Sequence, residues 1–222
     1  MKKIIQYIHE YGLLRTIMQI FKRIGEFVGV LKSKTYVLDK EIQKDLDVIT
    51  EPKYQIRPLG LDDIEEFNRM KYFDFLDPKN IIESKNKGAI IALNGSRIIG
   101  YVCYDSSSEH SIHKMGKWNL DENEAWVGPT YVDINYRNKG IHRDLLNETI
   151  KKLHYENIKN VFTAINYKNE PSVKSFEKTG FRKLGLISIR NILNFYKSIK
   201  IDEYIINSIR SKFYGNRRRK SL

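Results

Sequence analysis

Residues 132–142 read VDINYRNKGIH and join a predicted strand to a predicted helix. The strand is the apolar stretch AWVGPTYV at 125–132, and the helix covers 142–156, where leucine and isoleucine recur on one face. Backbone N–H groups at a helix start lack intrahelical partners, and the helix dipole adds positive potential. Gly140 lets the backbone approach a ligand closely, so the stretch predicts a site for a diphosphate group.

Three basic side chains surround this glycine: Arg137, Lys139 and Arg143. Their charge suits an anionic ligand. Basic, glycine-containing turns before helices also occur without any ligand, so this motif alone leaves both interpretations open. A second segment, NEPSVKSFEKTGF at 169–181, follows the next predicted strand and begins another short helix, which Gly180 ends.

Apolar runs and turn signals along the rest of the chain predict one mixed sheet with helices on both faces, an α/β fold. The predicted strands cover residues 54–59, 89–93, 97–104, 125–132, 161–166, 181–189 and 192–200, and the helices 61–70, 142–156 and 172–179. Asn94-Gly95 predicts a tight hairpin. Pro129 predicts a bulge or lost pairing, because proline has no N–H. We expect residues 105–124 to be a polar loop, 1–34 an amphipathic helix and 201–222 a further helix.

The net charge of the 222-residue chain is +12, and all of it lies at the two ends. Residues 1–34 carry seven basic and two acidic side chains, residues 190–222 nine and two, and residues 35–189 twenty-three of each. A neutral middle argues against a nucleic-acid-binding domain face. No apolar run reaches the ~20 residues of a transmembrane helix. The single cysteine, Cys103, excludes an internal disulfide and favours a reducing compartment, so we expect a cytoplasmic protein.

The two segments together resemble the GNAT superfamily of acyl-CoA-dependent N-acetyltransferases. The phosphate loop of that family reads Arg/Gln-x-x-Gly-x-Gly/Ala, and this chain has Arg137-x-x-Gly140-x-His142. The later family segment reads Asn-x-x-Ser/Ala, an aromatic residue, then Glu-Lys-x-Gly-Phe. This chain matches it at residues 169–181.

The resemblance covers about residues 53–200. It implies a mixed, mostly antiparallel central sheet and acetyl-CoA as co-substrate, with no metal. The chain then divides into a basic helical extension at 1–50, an acetyltransferase domain at 51–200 and a basic tail at 201–222. The implied activity is transfer of an acetyl group to a primary amine by direct attack in a ternary complex.

Carried over position by position, the resemblance assigns the cofactor site. The diphosphate would be held by Arg137, Asn138, Lys139, Gly140, Ile141, His142 and Arg143. Tyr131 and Val132 would lie beside the pantetheine arm, where a backbone amide could polarise the thioester carbonyl. Asn169 and Phe176 would contact the cofactor from the neighbouring strand and helix. In the family these two strands splay apart to admit the cofactor.

Two positions depart from the family pattern. His142 replaces a small residue, so its side chain either crowds the phosphates or hydrogen-bonds one of them. Phe176 replaces the tyrosine with which many members protonate the leaving thiolate. Water, another tyrosine such as Tyr131, or no acid at all would then serve, since a thiol with a pKa of about 8.5 leaves readily.

The general base is sought on the strand that leads into the phosphate loop. Glu124 is the first candidate, because strand alternation places it on the face of Trp126, Thr130 and Val132. Asp121 and Glu122 are weaker candidates, and a solvated loop carboxylate is the alternative in each case. His110 and His113 form a His-x-x-His pair, which without further ligands is a poor metal site.

The aromatic and charged segments of the chain predict which partners it binds. Tyr72, Phe73 and Phe75 either stack on an acceptor such as an amino sugar or form a satellite hydrophobic cluster. Acidic residues within 105–124 would suit a cationic small-molecule amine. The basic face of residues 1–34 suggests contact with the inner membrane surface or packing on the domain or on a second copy in a homodimer. The alternative function is a catalytically impaired binding module that its basic flanks recruit to a membrane or nucleic acid.

Overall fold

The computed structural model describes residues 31–42, 53–112, 116–192, 196–201 and 213–214. Their strands, in chain order, are β1 (Leu31–Glu41), β2 (Gln55–Pro58), β3 (Lys87–Asn94), β4 (Arg97–Asp105), β5 (Glu109–Ile112), β6 (Gly116–Asn119), β7 (Glu124–Val132), β8 (Asn160–Asn166), β9 (Arg182–Ile192), β10 (Tyr196–Ile201) and β11 (Phe213–Tyr214). The α-helices are α1 (Ile64–Met70), α2 (Pro78–Glu83), α3 (Ile141–Tyr155) and α4 (Glu170–Lys178).

Eight strands form one sheet in the order β10-β9-β1-β8-β7-β4-β3-β2. Every neighbouring pair is antiparallel except β7 and β8, which run parallel and are connected through α3. A parallel pair needs such a crossover, whereas the hairpin between β3 and β4 closes at Asn94 and Arg97. The predicted mixed, mostly antiparallel sheet is therefore confirmed, and so is the Asn94-Gly95 turn.

Helices cover both faces of this sheet. Helices α3 and α4 bury residues such as Leu145, Ile150 and Phe176 against one face. On the other face, Phe67 of α1 and Ile81 of α2 pack over β3 and β4. The same face continues across β7, β8, β1 and β9, where the hairpin of β5 and β6 covers it.

Strand β1 lies in the middle of the sheet, paired with β8 on one side and β9 on the other. The helix expected over residues 1–34 is thus wrong for residues 31–34, and residues 1–30 lie outside the described residues. Val37 and Leu38 are fully buried on opposite faces of the sheet, so the strand is stabilised by both layers. The domain boundary expected between residues 50 and 51 falls between β1 and β2, which belong to the same sheet.

The polar loop expected at 105–124 is also wrong, because it contains β5 and β6. These two strands pair as a hairpin, and β11 adds to β6 at Phe213 and Tyr214 in place of the helix expected there. Trp118 of β6 has no exposed surface and contacts Trp126 and Phe162 of the large sheet. Burial of this indole anchors the hairpin despite the many polar residues beside it.

In the part of the chain that the structure describes, no helix has the length and apolar character that crossing a membrane requires.

Candidate active site

The parallel strands β7 and β8 pair only at one end. Their register runs from Glu124 opposite Asn160 to Trp126 opposite Phe162, although the strands continue to Val132 and Asn166. On its other side, β7 keeps its pairing with β4, with a register shift opposite Gly128-Pro129. The expectation that Pro129 marks a bulge or lost pairing is therefore confirmed. Beyond Trp126 the two strands leave an unpaired stretch, which we call the β7–β8 gap.

Backbone groups of β7 point into this gap. Asp133 donates its N–H to the carbonyl of Ile99 on β4, at 2.9 Å. Because neighbouring strand residues point their amides to opposite sides, the N–H groups of Thr130 and Val132 point towards β8. The carbonyl of Val132 accepts a bond from Nε of Arg137 at 3.0 Å, which agrees with this direction. The amide available to a thioester is thus that of Thr130 or Val132, rather than that of Tyr131.

The phosphate loop connects β7 to α3 through a 3-10 turn, Ile134–Tyr136. Asp133 caps this turn by accepting the N–H of Asn135 at 2.9 Å. Gly140 is the N-cap of α3 with φ of +83°, and no side chain caps the helix start. An added Cβ at Gly140 would meet no atom closer than 3.8 Å, so the positive φ rather than crowding requires glycine. A helix start without a side-chain cap fits the diphosphate predicted for it.

The three predicted cations lie around this loop, each held by a neighbour. Arg137 bonds the carbonyl of Val132, and its guanidinium lies 5.8 Å from the centre of the Tyr131 ring. Lys139 donates to the carbonyl of Asn135 at 3.0 Å. Arg143 pairs with Asp144 at 3.1 Å, and this carboxylate offsets part of the positive charge.

His142 crosses from α3 to both neighbouring elements. Its Nδ1 is 2.7 Å from the hydroxyl of Ser175 on α4, and its Nε2 is 3.2 Å from the hydroxyl of Thr130 on β7. The ring also packs edge-on against Phe176, with centroids 5.2 Å apart. Burial lowers the pKa of His142 to about 4, so the imidazole is neutral at pH 7. It therefore adds no charge to the phosphate loop.

Asn169 and Phe176 occupy different environments. Asn169 is exposed at the N-cap of α4, just after β8, and its carbonyl accepts the N–H of Val173 at 3.0 Å. Phe176 is buried and packs against Phe181 as well as His142. Phe176 thus contacts His142, which lies next to the phosphate loop. Asn169 lies just beyond Asn166, the last residue of β8, which we call the outer end of β8.

Glu124 does not share a face with Val132, contrary to the expected alternation. Trp126 packs with the β5–β6 layer, whereas Val132 packs with α3, because the irregularity at Gly128-Pro129 reverses the direction of the side chains. Glu124 is buried at the paired end of β7, where its Oε2 accepts the N–H of Asp121 at 3.0 Å. Its role as a base stays a prediction.

The aromatic run after α1 reaches β7 on the face opposite α3. Tyr72 stacks on Tyr131 with ring centroids 5.3 Å apart and planes 12° apart, and Tyr101 lies 6.0 Å from Tyr131 on another side. Phe73 contacts Tyr72, and Phe75 is largely exposed. These rings form a cluster that is continuous with the core under α1 and α2.

Sequence reasoning missed a pair of titratable residues, Asp105 and His110. Nδ1 of His110 is 3.0 Å from Oδ2 of Asp105, and the imidazole stacks on Trp126 with centroids 4.8 Å apart. The available signal for the hairpin was the alternation of polar and apolar residues over 117–120, KWNL, which the surrounding polar residues obscured. Among the described residues no group of three or more His, Cys, Asp or Glu side chains could hold a metal ion, and His113 lies outside them.

Cys103 is buried in β4, and burial raises the pKa of its thiol to about 12. Such a thiol carries negligible thiolate at pH 7, which argues against a nucleophilic role.

Comparison with known proteins agrees with this architecture. The profile of the Acetyltransferase (GNAT) family matches residues 51–181. No curated protein matches the chain. A GNAT-family acetyltransferase from Novosphingobium aromaticivorans DSM 12444, described as putative, aligns with a TM-score of 0.54 at 12% identity, over 73% of this chain. The alignment spans 65% of that protein, which is slightly under two thirds of its length.

Two further solved structures share the fold. A conserved protein of unknown function from Staphylococcus epidermidis ATCC 12228 aligns with a TM-score of 0.53 at 12% identity, over 80% of this chain and 68% of that one. The aminoglycoside N-acetyltransferase AAC(6')-Iy, solved with CoA, aligns with a TM-score of 0.50 at 14% identity, over 58% of this chain and 91% of that one. The family profile covers more than half of the chain, and the chain therefore belongs to the GNAT acetyltransferase family.

Proposed function

We propose that the protein transfers an acetyl group from acetyl-CoA to a primary amine, by direct attack within a ternary complex. The observation that carries this proposal is the β7–β8 gap, which opens beside the glycine-capped start of α3. The gap gives a linear thioester a route between two strands, and the helix start gives its diphosphate an anchor. Family membership supports the same reaction class.

The loop residues divide the work of holding the diphosphate. Backbone N–H groups at the start of α3, including that of Ile141, face the anion, and Asn138 and Gly140 adopt the positive φ angles that shape the loop. Arg137, Lys139 and Arg143 supply charge around it. Asn169 would contact the pantetheine arm at the outer end of β8, and Phe176 would line the same region from α4.

Chemistry at the thioester needs an oxyanion donor and a base. The amides of Thr130 and Val132 point into the gap, where one of them would stabilise negative charge on the carbonyl oxygen. Phe176 has no acidic proton, so water or Tyr131 would protonate the leaving thiolate. A thiol of pKa about 8.5 to 9 needs little assistance, which makes an acid dispensable.

The acceptor we propose is a cationic small amine, such as an amino sugar. Carboxylates concentrate in and beside the β5–β6 hairpin, namely Asp105, Glu109, Asp121, Glu122 and Glu124. Tyr72, which stacks on the buried ring of Tyr131, is half-buried on the same side of the sheet and would contact the acceptor. We further propose that the protein works in the cytoplasm and that residues 1–34 contact the membrane surface or a second copy.

Acetyl-CoA binding by isothermal titration, with thiol release assayed on glucosamine, kanamycin and spermidine, tests this function. We expect binding, together with thiol release that depends on at least one amine. Absence of thiol release with every amine of the panel would remove the proposal, whether or not acetyl-CoA binds.

A second function is favoured by one observation, the position of His142. Its ring spans from β7 to α4, where the family pattern has a small residue. If the His142 side chain narrows the β7–β8 gap so that acetyl-CoA does not fit, the protein would serve as a binding module. Its basic ends would then recruit it to an anionic membrane or nucleic acid. Liposome and DNA binding without any amine-dependent thiol release would support this alternative.

A further inference from the structure

Asp105 and His110 form an ordered acid–imidazole pair outside the phosphate loop. Asp105 is buried at the end of β4, where its Oδ1 accepts the N–H of Ser107 at 2.9 Å and its Oδ2 lies 3.0 Å from Nδ1 of His110. The hydrogen bonds from His110 and Ser107 keep the pKa of Asp105 below its usual value despite burial, which opposes them. An ionised carboxylate at this distance fixes the imidazole proton on Nδ1, so Nε2 carries the lone pair.

The second observation is where this pair sits relative to the β7–β8 gap. The imidazole of His110 stacks on Trp126 at 4.8 Å, and Trp126 opposite Phe162 is the last pair before the gap opens. About 20 Å of strand separates Val132, beside the phosphate loop, from Trp126. A linear thioester anchored by its diphosphate at α3 would extend along the gap towards Trp126. The side chain of His110 is 18% exposed, so an acceptor can reach it.

Glu124 is less suited to the same task. It lies two residues further from the gap than Trp126, within the paired part of β7, and one of its carboxylate oxygens already accepts the N–H of Asp121. An imidazole also has an ordinary pKa closer to neutrality than a carboxylate, which suits proton removal from an amine near pH 7.

We propose that His110, oriented by Asp105, is the general base that deprotonates the acceptor amine. This assignment rests on the proposed acetyl transfer. Nε2 of His110 takes one proton from the acceptor ammonium group. The amine nitrogen then forms a bond to the thioester carbonyl carbon as the carbon–sulfur bond breaks. The second amine proton and then the proton on His110 go to solvent, and the CoA thiolate takes a proton from water or Tyr131 and leaves as the thiol.

The described charged groups near His110 lie on β4 and on the hairpin itself. Asp105 faces it from β4, and Glu109 and Lys117 form an exposed ion pair at 2.6 Å on the hairpin itself. Its hairpin partner, Trp118, and its stacking partner, Trp126, carry no charge. Among the residues that the structure describes, Asp105 is thus the charged group that contacts the ring directly.

The test compares His110→Gln, His110→Phe and Asp105→Asn with the wild type and with His154→Gln, a control on the far end of α3. Phenylalanine keeps an aromatic ring on Trp126 but accepts no proton. With the most active amine of the panel, we expect kcat to fall about 100-fold or more in both His110 variants. The dissociation constant for acetyl-CoA should stay within about 2-fold, and His154→Gln should match the wild type.

A pH profile separates catalysis from a structural role. The pH dependence of wild-type kcat/KM should include one ionisation that the His110 variants lose. In Asp105→Asn the fixed tautomer is lost, so kcat should fall while acetyl-CoA still binds. Equal rates and equal profiles in folded His110 variants would overturn the assignment and leave the transferase intact. A wild-type rate without that ionisation would also overturn it, even if the variants fail to fold.

An inactive wild type gives a different result. If no amine in the panel releases thiol, the proposed function fails, and the assignment of His110 falls with it.

Discussion

Trp126 of β7 pairs with Phe162 of β8, and the backbone register between these parallel strands ends at that pair. Both rings are buried under the indole of Trp118, at 5.8 and 5.4 Å between centroids. Aromatic packing therefore holds the two strands together at one end. Beyond Trp126, in the stretch that contains Gly128-Pro129, the pairing is absent. The β7–β8 gap owes its position to this contrast within a single strand.

Gly140→Asp should weaken acetyl-CoA binding at least about 10-fold. Aspartate at a positive φ strains the loop, and its carboxylate repels a diphosphate at the helix start. Isothermal titration measures the change. Gly95→Asp is the matched control, because Gly95 also has positive φ but lies in the β3–β4 turn. Equal affinity in the two variants would contradict the site.

His142 should make stability depend on pH between about 4 and 6.5. Its folded pKa of about 4 lies below its ordinary value of 6.5, so in this window the unfolded chain binds a proton that the folded chain does not. The contribution of His142 to stability is then complete above pH 6.5 and declines as the pH falls. From pH 7 to pH 5 we expect a loss of about 2 kcal/mol from this group.

Urea unfolding at pH 7 and pH 5 measures that loss. His142→Gln cannot titrate, so its decline over the same interval should be smaller than that of the wild type by about 2 kcal/mol. If the free energy of unfolding falls equally in the two proteins, the imidazole of His142 is not held neutral in the fold.

Leu38→Ala should lower the free energy of unfolding by about 2 to 5 kcal/mol. Leu38 is fully buried in β1 against the α3 side of the sheet, so truncation leaves a cavity between β8 and β9. Glu41→Ala, at the exposed end of the same strand, should change stability by less than about 0.5 kcal/mol. Chemical denaturation measures both. Equal, small effects would mean that β1 contributes little to the sheet.

Tyr131→Phe should change kcat by less than about 3-fold if water protonates the thiolate. The variant keeps the ring that stacks on Tyr72 and removes only the hydroxyl. Steady-state thiol release at pH 7 and pH 9 provides the measurement. A drop of about 100-fold at pH 7 would instead identify Tyr131 as the acid.

The sequence determined the local parts of this protein. Gly140 and its basic neighbours predicted the loop before α3, and Asn94-Gly95 predicted the hairpin, because each depends on backbone preferences within a few residues. Pro129 likewise predicted the irregularity in β7. Because proline has no backbone N–H, its place in a strand predicts by itself that one pairing hydrogen bond is missing.

Only the tertiary structure decided which distant segments meet. The central place of β1 depends on pairing with β8 and β9, more than 100 residues away, and its residues carry no strong strand pattern of their own. His142 contacts Thr130 and Ser175 because helix packing brings α3 against β7 and α4. His110 contacts Asp105 and Trp126 because strand register and the packing of the hairpin place them together. The reversal of side-chain direction at Gly128-Pro129 likewise moved Glu124 away from the face of Val132, since one irregularity changes every later residue of a strand.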